Sequence, residues 1–285
     1  MMAKIICLLN KISNKKLTIF ILTLVLSMIS LELAWSTPQP QPQPVKNTPS
    51  RKNQQVKHTS EKKPTKDAYS GSAGVRGGCG KDREIEISLK VLGSRNYFGR
   101  IVSTHPTFVW FVPDSEPFTI KLMIYKLVPN KEPEHVGDVI ELKSSPGIMQ
   151  LSPFAKDKTG LEVGGTYRWQ VVMECDPSSR SSDLVDVAYF EVVDIPVSLR
   201  QALDNSGDNL AKRVDLYAKA GFLQDALIEA LKLAEKSRLG KLGADILNNL
   251  VQNEQPENIE ELKPEDRKLI EKRIVDLKKI AASQQ

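Results

Sequence analysis

The sequence is poor in the residues that build metal and cofactor centres. Its 285 residues include 3 histidines, 3 cysteines and 6% aromatic residues. These are too few for a multi-zinc or iron–sulfur protein, because each zinc takes about four ligands and each cluster about four cysteines. Apolar residues make up 40% and charged residues 26% of the chain. That balance excludes both a polytopic membrane protein and a wholly disordered chain.

Recognisable catalytic motifs are also missing. His105 and His135 each stand without a second histidine, cysteine or carboxylate at ligand spacing. The glycine-rich run at 71–81 is not a phosphate-binding loop, because Val75 stands where that motif needs glycine and Asp82 follows the lysine. No Gly-x-Ser-x-Gly motif occurs. We therefore predict no catalytic residue, no metal site and no cofactor, and a protein that is not an enzyme.

The single long apolar run lies near the N-terminus. Residues 17–30 are apolar and uncharged, and four lysines precede them. Small residues at Ala34 and Ser36 are typical of a signal-peptidase site, so we predict a signal peptide over residues 1–36. The alternative is an uncleaved N-terminal anchor. Glu32 opposes it, because a charge in the bilayer core costs roughly 2.5–3.5 kcal/mol.

The net charge of +5 is not spread evenly along the chain. Residues 1–36 carry +3 (four lysines against one glutamate), and residues 37–78 carry +6 (eight basic against two acidic side chains). The remaining 79–285 carry −4 (28 basic, 32 acidic). Residues 37–78 begin with a Pro/Gln repeat and hold few apolar side chains, which predicts a disordered tether. A nucleic-acid partner is excluded, because the foldable part has no basic excess.

The cysteines favour one disulfide. Cys7 precedes the apolar run, so cleavage of the signal removes it and leaves Cys79 and Cys175. An even number of cysteines in an exported protein predicts a disulfide between them. The alternative is two buried free thiols.

Residues 79–195 read as a β half. Turn residues separate six or seven short apolar segments, which predict strands at 84–91, 106–113, 118–125, 136–142, 148–151, 166–175 and 185–193. The pattern predicts an antiparallel immunoglobulin- or fibronectin-III-like β-sandwich followed by a small helical subdomain. Residues 106–113 are apolar at both parities, so we expect that strand to be covered on both faces or to lie at a crowded edge. In 166–175 one parity carries Tyr167, Trp169 and Cys175, the expected core face.

The helical half follows Pro196. Apolar stripes predict two helices in residues 196–253 that meet at Gly221, with Asp208 as the first helix cap. Their spacing resembles a single tetratricopeptide unit, and the alternative is an ordinary helical hairpin. A short helix is expected at 244–251. Within 254–285, Pro264 opens a last helix.

Two surfaces are candidate binding sites. The loop at 176–183 carries Asp176, Ser178, Arg180 and Asp183, which could recognise an anionic or sugar ligand. The alternative is a hairpin turn rich in turn-forming residues. Trp110 and Trp169 could form a carbohydrate-stacking platform. The alternative places both in the core.

Several runs together resemble the family of the domain of unknown function numbered 928. They are Arg76 to Cys79, residues 106–113, Pro146 to Ile148, residues 161–169, Cys175 to Pro177, Leu216 to Ala218, and Ala226 with Leu227. The resemblance covers about residues 71–251 and places the last helix beyond the family domain. It implies an exported protein of cyanobacterial type, paired cysteines and a two-part architecture. It implies no activity.

The leading hypothesis is an exported, non-enzymatic interaction or structural module of the cell envelope, periplasmic or extracellular. Its partner would be an envelope protein or a wall polymer, and it would touch the membrane only through an uncleaved N-terminal segment. A second hypothesis is a glycan- or wall-polymer-binding protein. A third is a hydrolase built on unrecognised acids, which requires two carboxylates facing each other across a pocket.

Overall fold

The computed structural model describes residues 78–79, 87–154, 159–255 and 259–285. The predicted signal peptide, nearly all of the predicted tether and residues 84–86 of the first predicted strand lie outside the described residues.

Two β-sheets make up the β half of the described chain. Their strands are β1 (Lys90–Val91), β2 (Gly99–Ile101), β3 (Phe108–Val112), β4 (Thr119–Leu127), β5 (Glu134–His135), β6 (Ile140–Lys143), β7 (Gly147–Leu151), β8 (Thr166–Glu174) and β9 (Leu184–Val192). The first sheet has the order β1-β3-β7. The second has the order β2-β9-β8-β4-β5, with β6 also paired to β4. All pairs are antiparallel except β2 with β9, so the prediction of a purely antiparallel arrangement is wrong at that edge.

The two sheets face each other across a shared hydrophobic core. Burial alternates along β8, and Trp169 lies opposite Ala188 of β9. The Phe108 ring of the other sheet lies 4.8 Å from the Trp169 ring, centroid to centroid. Tyr167 and Trp169 are buried in this core, and Cys175 packs against it. The predicted inward face of residues 166–175 is therefore confirmed.

The turn before β8 is held by a tyrosine. The Tyr167 hydroxyl accepts a hydrogen bond from the backbone N–H of Glu162 at 2.9 Å. A Cβ on Gly165 would lie 2.6 Å from that hydroxyl, so the position requires glycine. Gly164, with a φ of 81°, makes the turn, and its N–H donates to the Val192 carbonyl at 2.7 Å.

Strand β3 is buried on both faces. Phe108, Trp110 and Val112 point into the core between the sheets. Val109 and Phe111 point the other way and belong to a second core, shared with the helices. The prediction that this strand is covered on both faces is confirmed.

Five helices follow the sheets among the described residues. They are α1 (Val197–Asp204), α2 (Leu210–Lys219), α3 (Leu223–Leu231), α4 (Gly240–Glu254) and α5 (Pro264–Ser283). Asn209 caps α2, because its side chain accepts the Lys212 N–H at 2.9 Å, so the predicted cap at Asp208 is wrong. Gly221 lies between α2 and α3 with a φ of 83°, as the hairpin reading requires.

Helix α5 inserts a buried arginine between the two halves. The Arg273 guanidinium is 2.9 Å from an Asp186 carboxylate oxygen and 3.4 Å from a Glu254 oxygen. It also donates to the carbonyls of Val91 at 3.1 Å and Gly93 at 2.7 Å. One side chain therefore joins α5, α4, β9 and the end of β1.

This charge cluster is balanced. Three buried or nearly buried cations (Arg273, Arg95 and Lys90) meet three buried carboxylates (Asp186, Glu254 and Asp276). The exposed Lys272 also pairs with Asp276 at 3.3 Å. Burial opposes the ionisation of Asp186, but the three cations together hold its pKa below the usual range. Each buried charge is thus compensated.

A disulfide joins Cys79 to Cys175 across 96 positions of sequence. It ties the segment before β1 to the residue after β8. The predicted pairing is confirmed, and the alternative of two free thiols is excluded.

We expect Arg273→Met to lower the free energy of unfolding by about 3–5 kcal/mol, because it leaves Asp186 and Glu254 buried without their shared cation. Urea unfolding of the full chain measures this loss. Lys278→Met, an exposed position on the same helix, is the control and should change stability little. Equal losses in the two variants would contradict the assignment.

We expect reduction of the disulfide, or the double change Cys79→Ser and Cys175→Ser, to destabilise the chain by about 4–5 kcal/mol. The reason is that closing so long a loop restricts the unfolded chain. Denaturant unfolding with and without reductant measures the difference. A Cys79 peptide that can be alkylated before reduction would show that the bridge does not form.

Candidate functional site

The loop at 176–183 forms a self-bonded turn. An Asp176 carboxylate oxygen accepts both the backbone N–H of Ser178 at 2.9 Å and its hydroxyl at 2.6 Å. Asp183 accepts the Cys175 N–H at 3.3 Å. Arg180 is exposed and starts a 3-10 turn. The loop's polar side chains thus serve the hairpin, as the turn-forming alternative holds.

The predicted aromatic platform is not at the surface. Trp110 and Trp169 are both 0% exposed, in the core between the sheets. Neither ring can stack on a sugar, so this prediction is wrong. Alternation places Trp169 on an inward face, whereas Trp110 lies in a run that is apolar at both parities. A tryptophan suits a large core as well as a binding surface.

The two described histidines lie in different parts of the β half and have different neighbours. His135 is in β5, where its ring meets the Tyr125 ring edge-on. His105 lies between β2 and β3, with its Nδ1 3.0 Å from the Thr104 hydroxyl. Within the described residues, no group of three or more histidine, cysteine or acidic side chains is placed to hold a metal ion.

A cleft of about 230 Å³ opens where the β half meets the α2–α3 hairpin. We call it the junction cleft. Its β wall consists of Ile101, Ser103, His105, Pro106 and Thr107. Its helical wall consists of Tyr217, Gln224, Asp225, Ile228, Glu229 and Lys232.

Asp225 anchors the hairpin to the β wall. It is the third residue of α3, and its carboxylate accepts the Val102 backbone N–H at 3.1 Å. Burial raises its pKa to about 7, and the negative charge of Glu229 acts in the same direction, while backbone N–H groups of Val102 and Ser103 partly offset both. The carboxyl group therefore changes charge near neutral pH.

Glu229 lies one helical turn later and is buried. One of its carboxylate oxygens is 2.9 Å from the Lys232 ammonium, and the other is 3.5 Å from Arg213 Nε. That second oxygen, Oε2, receives no hydrogen bond from the residues that the structure describes. This oxygen is itself closed to solvent, so it is a buried acceptor beneath the cleft wall and not one that is open to the cleft.

Two further polar side chains come from the helical wall. Gln224 is buried and donates to the Thr107 carbonyl at 3.4 Å, so it bridges the two walls. Burial and the nearby Asp225 raise the pKa of Tyr217, which keeps its hydroxyl protonated. The Tyr217 hydroxyl is therefore a donor throughout the physiological pH range.

The chemistry of the junction cleft is that of hydrogen bonding. Asp225 and Glu229 come from one face of one helix at i and i+4, so they stand side by side rather than across a gap. Sequence reasoning missed the cleft because it read α3 only for its apolar stripe. The one available signal was this acidic pair within an otherwise apolar helix.

The family comparison gives one clear match. The family model for the Domain of Unknown Function (DUF928) matches residues 71–282. This chain belongs to the DUF928 family. The match runs through α5, so the predicted limit at about residue 251 is wrong. The buried Arg273 contacts explain why this last helix belongs with the DUF928 domain.

Other comparisons add little to the DUF928 assignment. A solved structure of Astrotactin-2, described as a conserved vertebrate-specific and perforin-like membrane protein involved in neuronal development, shares 12% identity. The likeness covers 68% of this chain and 38% of that chain, with a TM-score of 0.24, and it supports no inference here. No curated protein matches the chain.

Two observations bear on location. The disulfide indicates an oxidising compartment and therefore export. None of the helices among the described residues combines the length and apolar character needed to cross a bilayer.

We expect Asp225→Asn to make stability less dependent on pH. Between about pH 4 and 7 the folded chain keeps a proton on Asp225 that the unfolded chain has lost, so stability falls as pH rises through this window. Asparagine does not titrate, so the variant lacks this pH dependence. The free energy of unfolding of the variant minus that of the parent should therefore rise by roughly 1–3 kcal/mol between pH 4 and pH 7.

Urea unfolding at several pH values across that window measures the difference. Asp215→Asn, an exposed position of α2, is the matched control, and its difference from the parent should not follow pH in this way. A parallel trend in both variants would contradict the role of Asp225.

Proposed function

We propose that this DUF928 chain is an exported, non-enzymatic interaction module of the cell envelope. The observation that carries the proposal is the junction cleft, whose walls come from both halves of the described chain. Ligand sites are typically concave and pre-formed, with a few fixed polar groups. The disulfide supports a location in the periplasm or outside the cell, either free or held by an uncleaved N-terminal segment.

The arrangement of the strands supports an immunoglobulin- or fibronectin-III-like sandwich. The β9-β8-β4 neighbours correspond to the G-F-C strands of that fold, and β1-β3-β7 to A-B-E. The Tyr167 hydroxyl bonded to the Glu162 backbone corresponds to the tyrosine corner of such domains. This fold is often a recognition scaffold, although the fold by itself does not decide function.

The state of the two acids favours binding over hydrolysis. Asp225 is bonded to the Val102 backbone, and Glu229 is paired with Arg213 and Lys232. A glycosidase pair stands on opposite sides of the scissile bond. Asp225 and Glu229 share one helix face and are already bonded to other groups of the protein. They therefore hold the helix and its neighbours in place, and the hydrolase hypothesis has less support than the binding hypothesis.

A glycan or wall polymer is the second candidate ligand, and an envelope protein the first. The buried tryptophans remove the aromatic support for the glycan reading. The hydroxyl and amide side chains that line the junction cleft still support a glycan ligand, because they can form hydrogen bonds with sugar hydroxyls.

We expect the purified full chain to co-sediment with an isolated insoluble envelope fraction and to release no soluble sugar, amine or acid from it. Glu229→Gln should weaken the binding because it changes the buried polar wall of the cleft. Asp215→Asn, outside the cleft, should not.

The sedimented fraction, assayed for bound protein and for soluble products, decides between binding and catalysis. Turnover that Glu229→Gln or Asp225→Asn abolishes would overturn the proposal. So would the absence of any binding to the envelope fraction.

A further inference from the structure

We propose that this chain forms a two-fold symmetric dimer in which strand β6 (Ile140–Lys143) pairs with β6 of a second copy. The pairing is antiparallel and joins the two six-stranded sheets into one continuous sheet across the dimer axis. It uses a different surface from the junction cleft and does not depend on the proposed function.

Strand β6 lies at an open edge of its sheet. It pairs with β4 on one side, and no described strand pairs with its other side. Glu141 and Lys143 are exposed, and Val139, just before the strand, is 45% exposed. An open strand edge presents backbone N–H and C=O groups that can bind a further strand.

The outer edges of three other strands are occupied by contacts within the chain. Val91 of β1 donates its N–H to Asp186 at 2.8 Å, and Ile148 of β7 donates to the Ser237 carbonyl at 2.9 Å. Helix α3 takes the N–H of Val102, directly after β2. Strand β5 lies at the same edge as β6 but has only two residues. Among the described strands, β6 is therefore the edge that a second copy can use.

The backbone of β6 has the direction that such a pairing needs. The Ser144 N–H donates to the Phe118 carbonyl beside β4 at 2.8 Å, so Ser144 and Leu142 direct their backbone groups towards β4. Because alternate residues of a strand direct these groups to opposite sides, Glu141 and Lys143 direct theirs towards the open edge. In an antiparallel dimer, each of these residues exchanges a pair of hydrogen bonds with the second copy.

The charges of β6 are complementary to themselves. With the two-fold axis at Leu142, Glu141 of one copy lies directly opposite Lys143 of the second copy, and symmetry repeats the pair. Opposite charges that face each other on neighbouring strands stabilise the pairing. A lysine on an edge strand usually discourages pairing, but here each lysine meets a glutamate. This self-complementarity is the reason for assigning the edge to a second copy of the chain.

Two neighbouring side chains strengthen the contact. Glu141 lies 3.3 Å from Lys121 on the same sheet, so in the dimer it stands between two cations. Leu142 is partly buried at the margin of the core between the sheets, and at the axis it meets its own copy at the closer spacing of a non-hydrogen-bonded pair. The interface is short, so we expect a reversible dimer with a Kd in the micromolar range, typical of small contacts.

Analytical ultracentrifugation of the full chain, from low micromolar to millimolar concentration, tests the proposal. Glu141→Lys places lysine opposite lysine, and Lys143→Glu places glutamate opposite glutamate. Each variant alone should dimerise about tenfold more weakly than the parent. An equimolar mixture of the two should restore dimerisation, because every facing pair again has opposite charges. Glu271→Lys makes the same charge change at an exposed position of α5 and should leave dimerisation unchanged.

A cysteine at the axis locates the contact. In Leu142→Cys the two introduced thiols face each other at a spacing that suits a disulfide. Mild oxidation should join two chains through this position, as identified by mass spectrometry of a non-reducing digest. Val139→Cys, which is exposed but lies away from the axis, should not cross-link to itself. Circular dichroism and thermal unfolding check that each variant is folded.

A chain that stays monomeric over the whole concentration range overturns the proposal and leaves an extended segment of a different protein as the occupant to test. A dimer that Glu141→Lys does not weaken overturns it as well, since the contact then lies elsewhere. So does a mixture of the two charge variants that stays monomeric. None of these results bears on envelope binding through the junction cleft, so the proposed function is tested separately.

Discussion

Strand β3 belongs to two hydrophobic cores at once, and the rest of the fold depends on this double burial. Phe108 and Trp110 face the second sheet, while Val109 and Phe111 face the helices. A strand in this position has no face left for polar residues. If the helices were removed, the outer face of its sheet would be exposed to water. The free energy of folding would lose about 25 cal/mol for each Å² of apolar surface so exposed. The two halves are therefore stabilised together.

A group of buried ion pairs joins the β half and the helical half at a second place. Arg273 reaches from the last helix to Asp186 at the inner face of β9, and Glu254 completes the contact. Buried ion pairs add little stability compared with apolar packing, but each member is costly to remove without the others. Such contacts fix the position of α5 more than they stabilise the fold. They also account for a family domain that extends to residue 282.

The junction cleft lies beside the contacts that join the helical hairpin to the β half. The hairpin meets the β half at Phe222, which is fully buried with the Arg100 guanidinium 4.8 Å above its ring, and at Asp225. Beside these contacts the cleft is lined by both polar and apolar side chains of the two halves. A site made from two rigid elements holds its groups more precisely than a loop can. The 176–183 loop, in contrast, uses its polar atoms to bond to itself.

The faces of the strands and the division into two halves could be predicted from the sequence. Alternation in residues 166–175 and the double apolar parity of 106–113 are local patterns, since the backbone itself dictates which way each side chain points. The charge distribution and the cysteine count are likewise properties of the chain. Together they determined the β and helical halves, the inward face of β8 and the Cys79–Cys175 pair. They could not determine which polar groups meet. Asp225 bonds to Val102 across 123 positions and Arg273 to Val91 across 182. Only tertiary packing decides such contacts, because the partner of a buried charge is set by what folds around it.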